Sequence, residues 1–490
     1  MKLLWSSLVV ISLIGVFQFC NYSNSEGNLE TSLLDQKLIQ YCDLEAERGF
    51  SGVIAIKRPN QEIFYKSIGY SDKGQLIENN QNTIFDIGSL TKQFTGAAIL
   101  KLEMAGKLSV EDSLIQFFPE IPEDKKGITI HHLLTHSAGF PIRIGSDFEN
   151  LHKDEFIKRA FNTDLLFVPG TKFGYSHLGY SLLGVLIEKV TGTSYERFLK
   201  DNIFDPIGMS STGYVLPAWD MSKVANGYRK CKNWRKPMDL SWGTEGPYWN
   251  LKANAGLLST AADLMAWHTA IESNDILNDE AKSKFLFKHI RESDTSGSYY
   301  SYGWVINSSR RGTRAYAHDA GNGKFFSDWI NYPQEQVSIL VLMNDFRPGS
   351  RNIASELAWI LFYPHHEYNT HLKTVNCFDS LPDSRIGEIA GGFINMLSSG
   401  REEDIVHLTT EYLGDYLKKK YSNDIIFHEF QRVQKDAGPS RISNIIIIGN
   451  DYMEIKLNRI ADEAKIEVRI KFDKEDDYKI RRFMYNSNEP

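Results

Sequence analysis

Strand-forming sequence stands at both ends of one long stretch of this chain, with helical and loop sequence between. Two runs rich in β-branched and aromatic residues, Gly52 to Lys57 and Glu62 to Gly69, are joined by a turn at Pro59-Asn60. A second group begins near Ser301. It comprises Tyr302 to Asn307, Ala315 to His318, Phe325 to Tyr332 and Val337 to Met343, and a helix from Asn352 to Phe362 closes it. A helix over Leu34 to Gly49 precedes the first group. Strands that bracket helices in this way predict one antiparallel sheet built from both termini, beside a helical region running from Ser89 to about Asn274. The fold class is α+β.

A chain of 490 residues is too long for one ordinary core, so two domains are expected. Beyond a polar stretch at 366–383, read as a linker, the pattern changes. Ile386 to Leu397 and Glu403 to Tyr421 predict helices. Alternating strands follow, with Met453, Ile455 and Leu457 on one face, then Ile466, Val468, Ile470 and Phe472. Gly449-Asn450, after the run Ile445 to Ile448, predicts a hairpin turn. Residues 384–490 are thus a separate small α+β unit.

The first 25 residues read as an export signal. Lys2 precedes an apolar run from Leu8 to Phe19, and a polar stretch follows. Cys20 sits where a bacterial lipoprotein carries its lipid, although Phe17-Gln18-Phe19 is a poor match to the small residues expected before it. The expected location is the periplasm or the membrane-anchored cell envelope. Cys42, Cys231 and Cys377 are widely spaced, which suits neither a metal site nor a disulfide framework. A net charge of -7 gives no sign of nucleic-acid binding. Lys418-Lys419-Lys420 is read as a solvated helix face.

The segment Phe85-Asp86-Ile87-Gly88-Ser89-Leu90-Thr91-Lys92-Gln93-Phe94 carries the chemistry. A small residue ends an extended run, and an amphipathic pattern begins, with Leu90, Phe94, Ala97, Ala98, Leu102 and Ala105 on one face. Residues three apart share a helix face, so Ser89 and Lys92 are neighbours. A hydroxyl at a helix N-terminus lies beside free backbone N–H groups. An amine next to it takes its proton if burial lowers the amine's pKa. Ser-x-x-Lys alone is common by chance, so the rest of the chain has to support it.

Three further stretches do so: Ile128 to Phe140, with His131-His132-Leu133-Leu134-Thr135-His136-Ser137; Pro169 to Tyr180, with Tyr175-Ser176-His177; and Ala255 to Leu264. Together with Gly88-Ser89-Leu90-Thr91-Lys92, these resemble the serine β-lactamase-like family of class C β-lactamases, D-alanyl-D-alanine peptidases, D-aminopeptidases and carboxylesterases. The resemblance covers residues 33–365 and implies a β-lactamase/transpeptidase-like domain. It makes Ser89 the acylated nucleophile, Lys92 its proton partner and Tyr175 a proton shuttle. A tyrosine beside cationic groups is expected to keep a lowered pKa.

Two departures bear on substrate. The third position of the Tyr-x-Asn motif is His177, which is expected to bind substrate and to make activity change near the histidine pKa. The strand motif, Lys or His then Thr or Ser then Gly, is matched by His318-Asp319-Ala320-Gly321. Glycine at the third place normally lets substrate lie flat, and Ala320 adds a methyl. The carboxylate of Asp319 would repel a substrate carboxylate. The Gly321 and Ser89 N–H groups would form an oxyanion hole.

Residues 384–490 look similar to a small cone of the nuclear-transport-factor type, on the order helices-then-sheet and the closing run Tyr478 to Arg481. Other motifs fail. Gly179 to Leu183 lacks the last glycine of a nucleophile elbow, and Thr370 replaces the second histidine of a zinc protease. His136 is read as structural. No cofactor or metal is implied.

The expectation is an exported serine hydrolase acting on an ester, amide or D-amino-acid peptide, with a small-molecule or cell-wall peptide partner. A β-lactamase or penicillin-binding peptidase, and a degenerate envelope-binding protein, stay open. So do the oligomeric state and the choice between Lys92 and Tyr175 as base.

Overall fold

The computed structural model describes residues 33–229, 232–240, 242–346, 352–363, 365–368, 375–378, 384–399, 401–437, 440–448, 451–459, 461 and 464–488. The stretch read as an export signal, Cys20, Cys231 and the expected turn at Gly449-Asn450 lie outside them. Ser51–Asn226 and Arg235–Tyr368 belong to one compact unit and Asn369–Pro490 to a second, with the short pieces Glu47–Phe50 and Gly227–Trp234 counted in the second.

The sheet of the first unit has eight strands: β1 (Gly52–Lys57), β2 (Phe64–Ile68), β3 (Ile290–Arg291), β4 (Tyr299–Tyr300), β5 (Val305–Ser308), β6 (Arg314–Gly321), β7 (Phe326–Tyr332) and β8 (Val337–Met343). Their order is β3-β4-β5-β6-β7-β8-β1-β2. The two termini meet where β1 pairs antiparallel with β8, Ile54 opposite Val341. Every residue of β8 is buried, the pattern of a strand covered on both faces. Leu340 and Leu342 join the main core with Val53 and Ala55. A helix, Ile353–Phe362, packs on β7 and β8, with Phe362 edge-on to Tyr332 at 4.9 Å.

Helix α1 (Thr91–Met104) departs from its expected amphipathic form. Thr91 through Leu100 are all buried, polar residues included. A helix sequestered on every side is a core element, and its polar side chains must find internal partners. The indole N–H of Trp267 donates to Gln93 at 3.1 Å, and Thr95 donates to the Ala253 carbonyl at 2.6 Å. Helix α2 (His177–Thr191) packs against α1. The Ser176 side chain caps its start, and Gly192 ends it in the left-handed region.

In the second unit five antiparallel strands follow the order β9 (Val375–Phe378), β10 (Ser440–Ile448), β11 (Tyr452–Arg459), β12 (Lys465–Asp473) and β13 (Lys479–Asn488). β9 falls inside the stretch read as a linker, and it pairs with β10 from Val375–Ile448 to Phe378–Ile445. Four residues between polar neighbours gave too short a run to read as a strand. The helix expected over Glu403 to Tyr421 is interrupted at Leu413-Gly414, and a further helix, Asn423–Ala437, was not anticipated. Its core includes Phe393 and Phe430, whose ring stacks on Phe483 at 4.7 Å.

Candidate active site

Ser89 sits in a single turn of 3-10 helix, Gly88–Leu90, that leads directly into α1. The short strand Phe85–Asp86 pairs with Leu258–Ser259 and delivers the chain to this turn. Gly88 turns it at φ +51, and a Cβ there would lie 2.9 Å from that of Ala320 on β6. The turn that carries Ser89 therefore rests directly on β6.

Asp86 fastens the two together. One carboxylate oxygen accepts from the Gly88 N–H at 2.8 Å, the other from the Asn322 amide at 2.8 Å. Asn322 in turn accepts from the backbone of Lys324 and Phe325, which holds the β6–β7 turn. Burial dominates and pushes the Asp86 carboxyl up to about 6, although both hydrogen bonds pull it down. Sequence reasoning missed Asp86, Asn322 and Asn254. The Asp-x-Gly spacing and the Gly321-Asn322-Gly323 turn were available signals, while Asn254 stands one residue before the stretch that was recognised.

Lys92 lies one turn beyond Ser89 with its Nζ 3.1 Å from Oγ. Its side chain is wholly buried, and burial lowers its pKa well below the ordinary lysine value. The amine also donates to the Asn254 carbonyl at 2.8 Å and lies 3.3 Å from His177 Nδ1. The Tyr175 ring sits under it at 4.9 Å.

Tyr175 is also beside Ser89, but the expected lowered pKa is not what its surroundings produce. Burial pushes the phenol above its ordinary value, and the hydrogen bond with Ser89 only partly opposes this. Lys92 does not offset this, because the same burial disfavours its charged form. Tyr175 is packed by His136, 4.3 Å away between ring centres. His136 accepts the Ser176 N–H at 3.1 Å, so it holds the loop as well as the ring.

His177 reaches Lys92, and it also lines the cleft. Burial and the neighbouring Lys92 lower its pKa to about 2, so the expected titration near the ordinary histidine value does not arise here. His318 is buried on β6. Its Nδ1 donates to the Asp319 carbonyl at 2.7 Å, and its Nε2 accepts from the Tyr300 hydroxyl at 3.2 Å. Burial lowers it to about 4.

The Ala320 side chain is buried against Gly88 and is not part of the cleft lining. Asp319 is exposed, and its charge bears on Tyr175. The N–H of Asn322 bonds to the Phe325 carbonyl, so strand alternation turns the Gly321 N–H away from β7, toward the edge where Ser89 lies. Gly321, Ser89 and His177 line one cleft with Arg143, Asp147 and Lys324. No sequence signal marked the last three. Arg143 and Asp147 pair loosely at 3.6 Å.

The Beta-lactamase family matches residues 36–361. A penicillin-binding protein of Bacillus subtilis (strain 168) is 27% identical over 310 residues, covering 60% of this chain and 68% of its own length. A second protein of that strain, described as a putative penicillin-binding protein, is 34% identical over 205 residues, or 42% of this chain and 51% of its own, so the chain spans only about half of that relative. The crystal structure of a penicillin-binding protein from Bacillus halodurans superposes with a TM-score of 0.55 at 26% identity, over 65% of this chain and 98% of that one. With a serine and a buried lysine 3.1 Å apart at the head of a core helix, the chain belongs to the β-lactamase family of serine hydrolases.

Proposed function

We propose that the protein hydrolyses a small ester, an amide or a D-amino-acid peptide through an acyl-enzyme on Ser89. The contact between Ser89 and the buried Lys92 carries this reading. The Ser89 oxygen attacks the substrate carbonyl carbon while its proton passes to the lone pair of Lys92. The carbonyl electron pair moves onto oxygen and is held by the Ser89 and Gly321 N–H groups. The pair returns, the bond to the leaving group breaks, and that group takes its proton from the Tyr175 hydroxyl. The proton that Lys92 took then passes to the Tyr175 oxygen, which leaves the amine neutral again. Water then repeats the sequence on the acyl carbon and restores Ser89.

Lys92 is the base in this scheme. Burial favours the neutral amine and the protonated phenol, so the amine is the group suited to take a proton and the phenol the group suited to give one. Asp319 disfavours substrates with a carboxylate beside the scissile bond. That sets a penicillin or D-alanyl-D-alanine substrate second, although two relatives are named for penicillin binding.

The proposed location is the cell envelope, with Cys20 the site of lipid attachment. Its support is the sequence pattern before residue 25. Partition of the full chain into membranes, lost on Cys20→Ser, would bear this out.

The deciding experiment is intact-protein mass after brief exposure to p-nitrophenyl acetate and, separately, to benzylpenicillin. An adduct in wild type that is absent from Ser89→Ala supports the acyl-enzyme. A fast-decaying ester adduct with little penicillin adduct supports the esterase or amidase reading, and the reverse supports the penicillin reading. No adduct and no turnover with either points to a binding protein.

A further inference from the structure

We propose that the second unit carries a binding site of its own, for a small amphipathic carboxylate. The apolar body of this anion enters a cavity between the edge strand β13 and two helices, α3 (Asp415–Lys420) and α4 (Asn423–Ala437), and its head meets Arg482 and Lys420. This does not rest on the acyl-enzyme reading.

The cavity holds about 500 Å³, within the range of small-molecule sites. Leu417, Ile426 and Phe430 form its floor, all buried and all part of the unit's core. The Phe483 ring, stacked on Phe430 at 4.7 Å, carries the apolar surface across to β13. Two hydrogen bonds hold the head of α3 against β13 and the turn before it. The Gly414 N–H donates to the Ile480 carbonyl at 3.0 Å, and the Asp415 N–H to the Asp476 carboxylate at 2.9 Å. The walls are therefore fixed by the fold, while Tyr416, Tyr421 and Ile425 are exposed. Phe393, Ile455 and Val468 are wholly buried in the core, so the cavity is a feature of the unit's edge.

Side chains alternate between the faces of a regular strand, so Arg482 should point away from Arg481 and Phe483. All three line the cavity. The ladder with β12 explains this. Lys471 pairs with Arg482 and Phe472 with Ile480, which leaves Arg481 as an extra residue. Such a bulge breaks the alternation and re-aims a side chain. Two guanidinium groups thereby reach one cavity.

Lys420 joins them from the end of α3. Its amine lies over the Tyr421 ring at 5.3 Å and the Tyr416 ring at 5.8 Å, and Arg481 lies over Tyr416 at 5.2 Å. Glu429 is the one acid of the lining, and Arg432 already donates to it at 2.6 Å. Arg481 reaches Asp473 only loosely, at 3.6 Å. Among the described residues, no carboxylate lies within ion-pair distance of Lys420 or Arg482. An apolar floor beside an excess of cations selects a ligand with an apolar body and a negative head, and a guanidinium fork matches a carboxylate.

The test is isothermal titration calorimetry of the intact protein with decanoate and, separately, with 1-decanol, which has the same body and no charge. Decanoate is expected to bind about 10-fold more tightly than decanol or better, and Arg482→Gln combined with Lys420→Gln to weaken it by a similar factor. Lys419→Gln, at an exposed position outside the cavity lining, should change nothing. Thermal unfolding of each ligand-free variant checks that it folds. No decanoate binding up to about 1 mM overturns the proposal. So does decanol binding as tightly as decanoate, or a double variant equal to wild type, which would put the acid elsewhere. A Lys419→Gln loss as large as that of the double variant overturns it too, since diffuse charge would then be enough. If the double variant does not fold, Ile425→Glu sets a like charge in the exposed part of the same cavity. Decanoate binding unchanged by that substitution sinks the site.

Discussion

A Cβ placed on Gly88 would lie 2.9 Å from the Cβ of Ala320. The alanine that departs from the family's strand motif is therefore turned toward the nucleophile turn and fills the space a larger residue at position 88 would need. The methyl group of Ala320 is buried there, away from the cleft that Ser89 and Gly321 line.

This predicts that Gly88→Ala is damaging twice over. The left-handed backbone alone costs about 1–2 kcal/mol in a non-glycine residue, and the close approach adds to it. Thermal unfolding should move down and acylation should slow. Pairing it with Ala320→Gly should recover part of the stability, since the contact is relieved while the backbone cost remains. If the double variant gains nothing over the single, the two residues do not meet.

Lys92 is expected to be indispensable in a way that charge alone does not supply. Lys92→Ala should slow acylation about 10²- to 10⁴-fold. Lys92→Arg should fail to rescue, because a guanidinium stays protonated and has no pair to offer. In wild type the active form is the neutral amine, so acylation rises as pH climbs through the depressed pKa of Lys92 and is level above it. Stopped-flow acylation with p-nitrophenyl acetate would show a falling limb instead if a protonated amine were the working form.

The histidines of the site should leave no mark on the profile near neutrality. His177 is lowered to about 2, His318 to about 4 and His136 well below the ordinary value, all chiefly by burial. Each is neutral between about pH 6 and 8. Ring signals followed by NMR across that range should stay still for these three. A shift in any of them with a midpoint inside it would contradict the burial seen here.

Asp86 predicts a stability effect of definite sign. Its folded pKa, about 6, stands above the ordinary 3.8, so folding favours the protonated form. That contribution is complete below about 3.8 and is lost as pH rises through about 6, a difference of order 3 kcal/mol. Asp86→Asn cannot titrate, but it sets an amide donor against either the Gly88 N–H or the Asn322 amide and should cost about 1–3 kcal/mol overall. Urea unfolding near pH 4.5 and near pH 7.5 should therefore show a larger gap between wild type and variant at the lower pH. An equal gap would mean that Asp86 titrates alike in the folded and unfolded chain.

Much of this was legible in the chain. β1 and β8 appear as nearly continuous apolar runs, broken only by Ser338 and ending at Lys57, because both faces are covered, and their bounds were read as Gly52–Lys57 and Val337–Met343. The two-residue strands β3 and β4 were not legible, since periodicity needs more residues than they contain. The linker was misread for the same reason, β9 being four residues long. Helix α1 was recognised as a helix but not as a buried one, because the polar partners of Gln93 and Thr95 lie more than a hundred and fifty residues away, at Trp267 and Ala253.

Sequence alone determined the placing of longer strands at both ends of the first unit, the pairing of Ser89 with Lys92 one helical turn apart and the family's motifs in their proper succession, for these depend on local spacing and residue type. Tertiary structure decided the protonation. Burial disfavours the charged form of Lys92 and keeps the proton on Tyr175, and His177 stands within reach of Lys92, because the surroundings of all three are set by residues distant in the chain. A pKa is a property of surroundings, and only the folded protein assembles them.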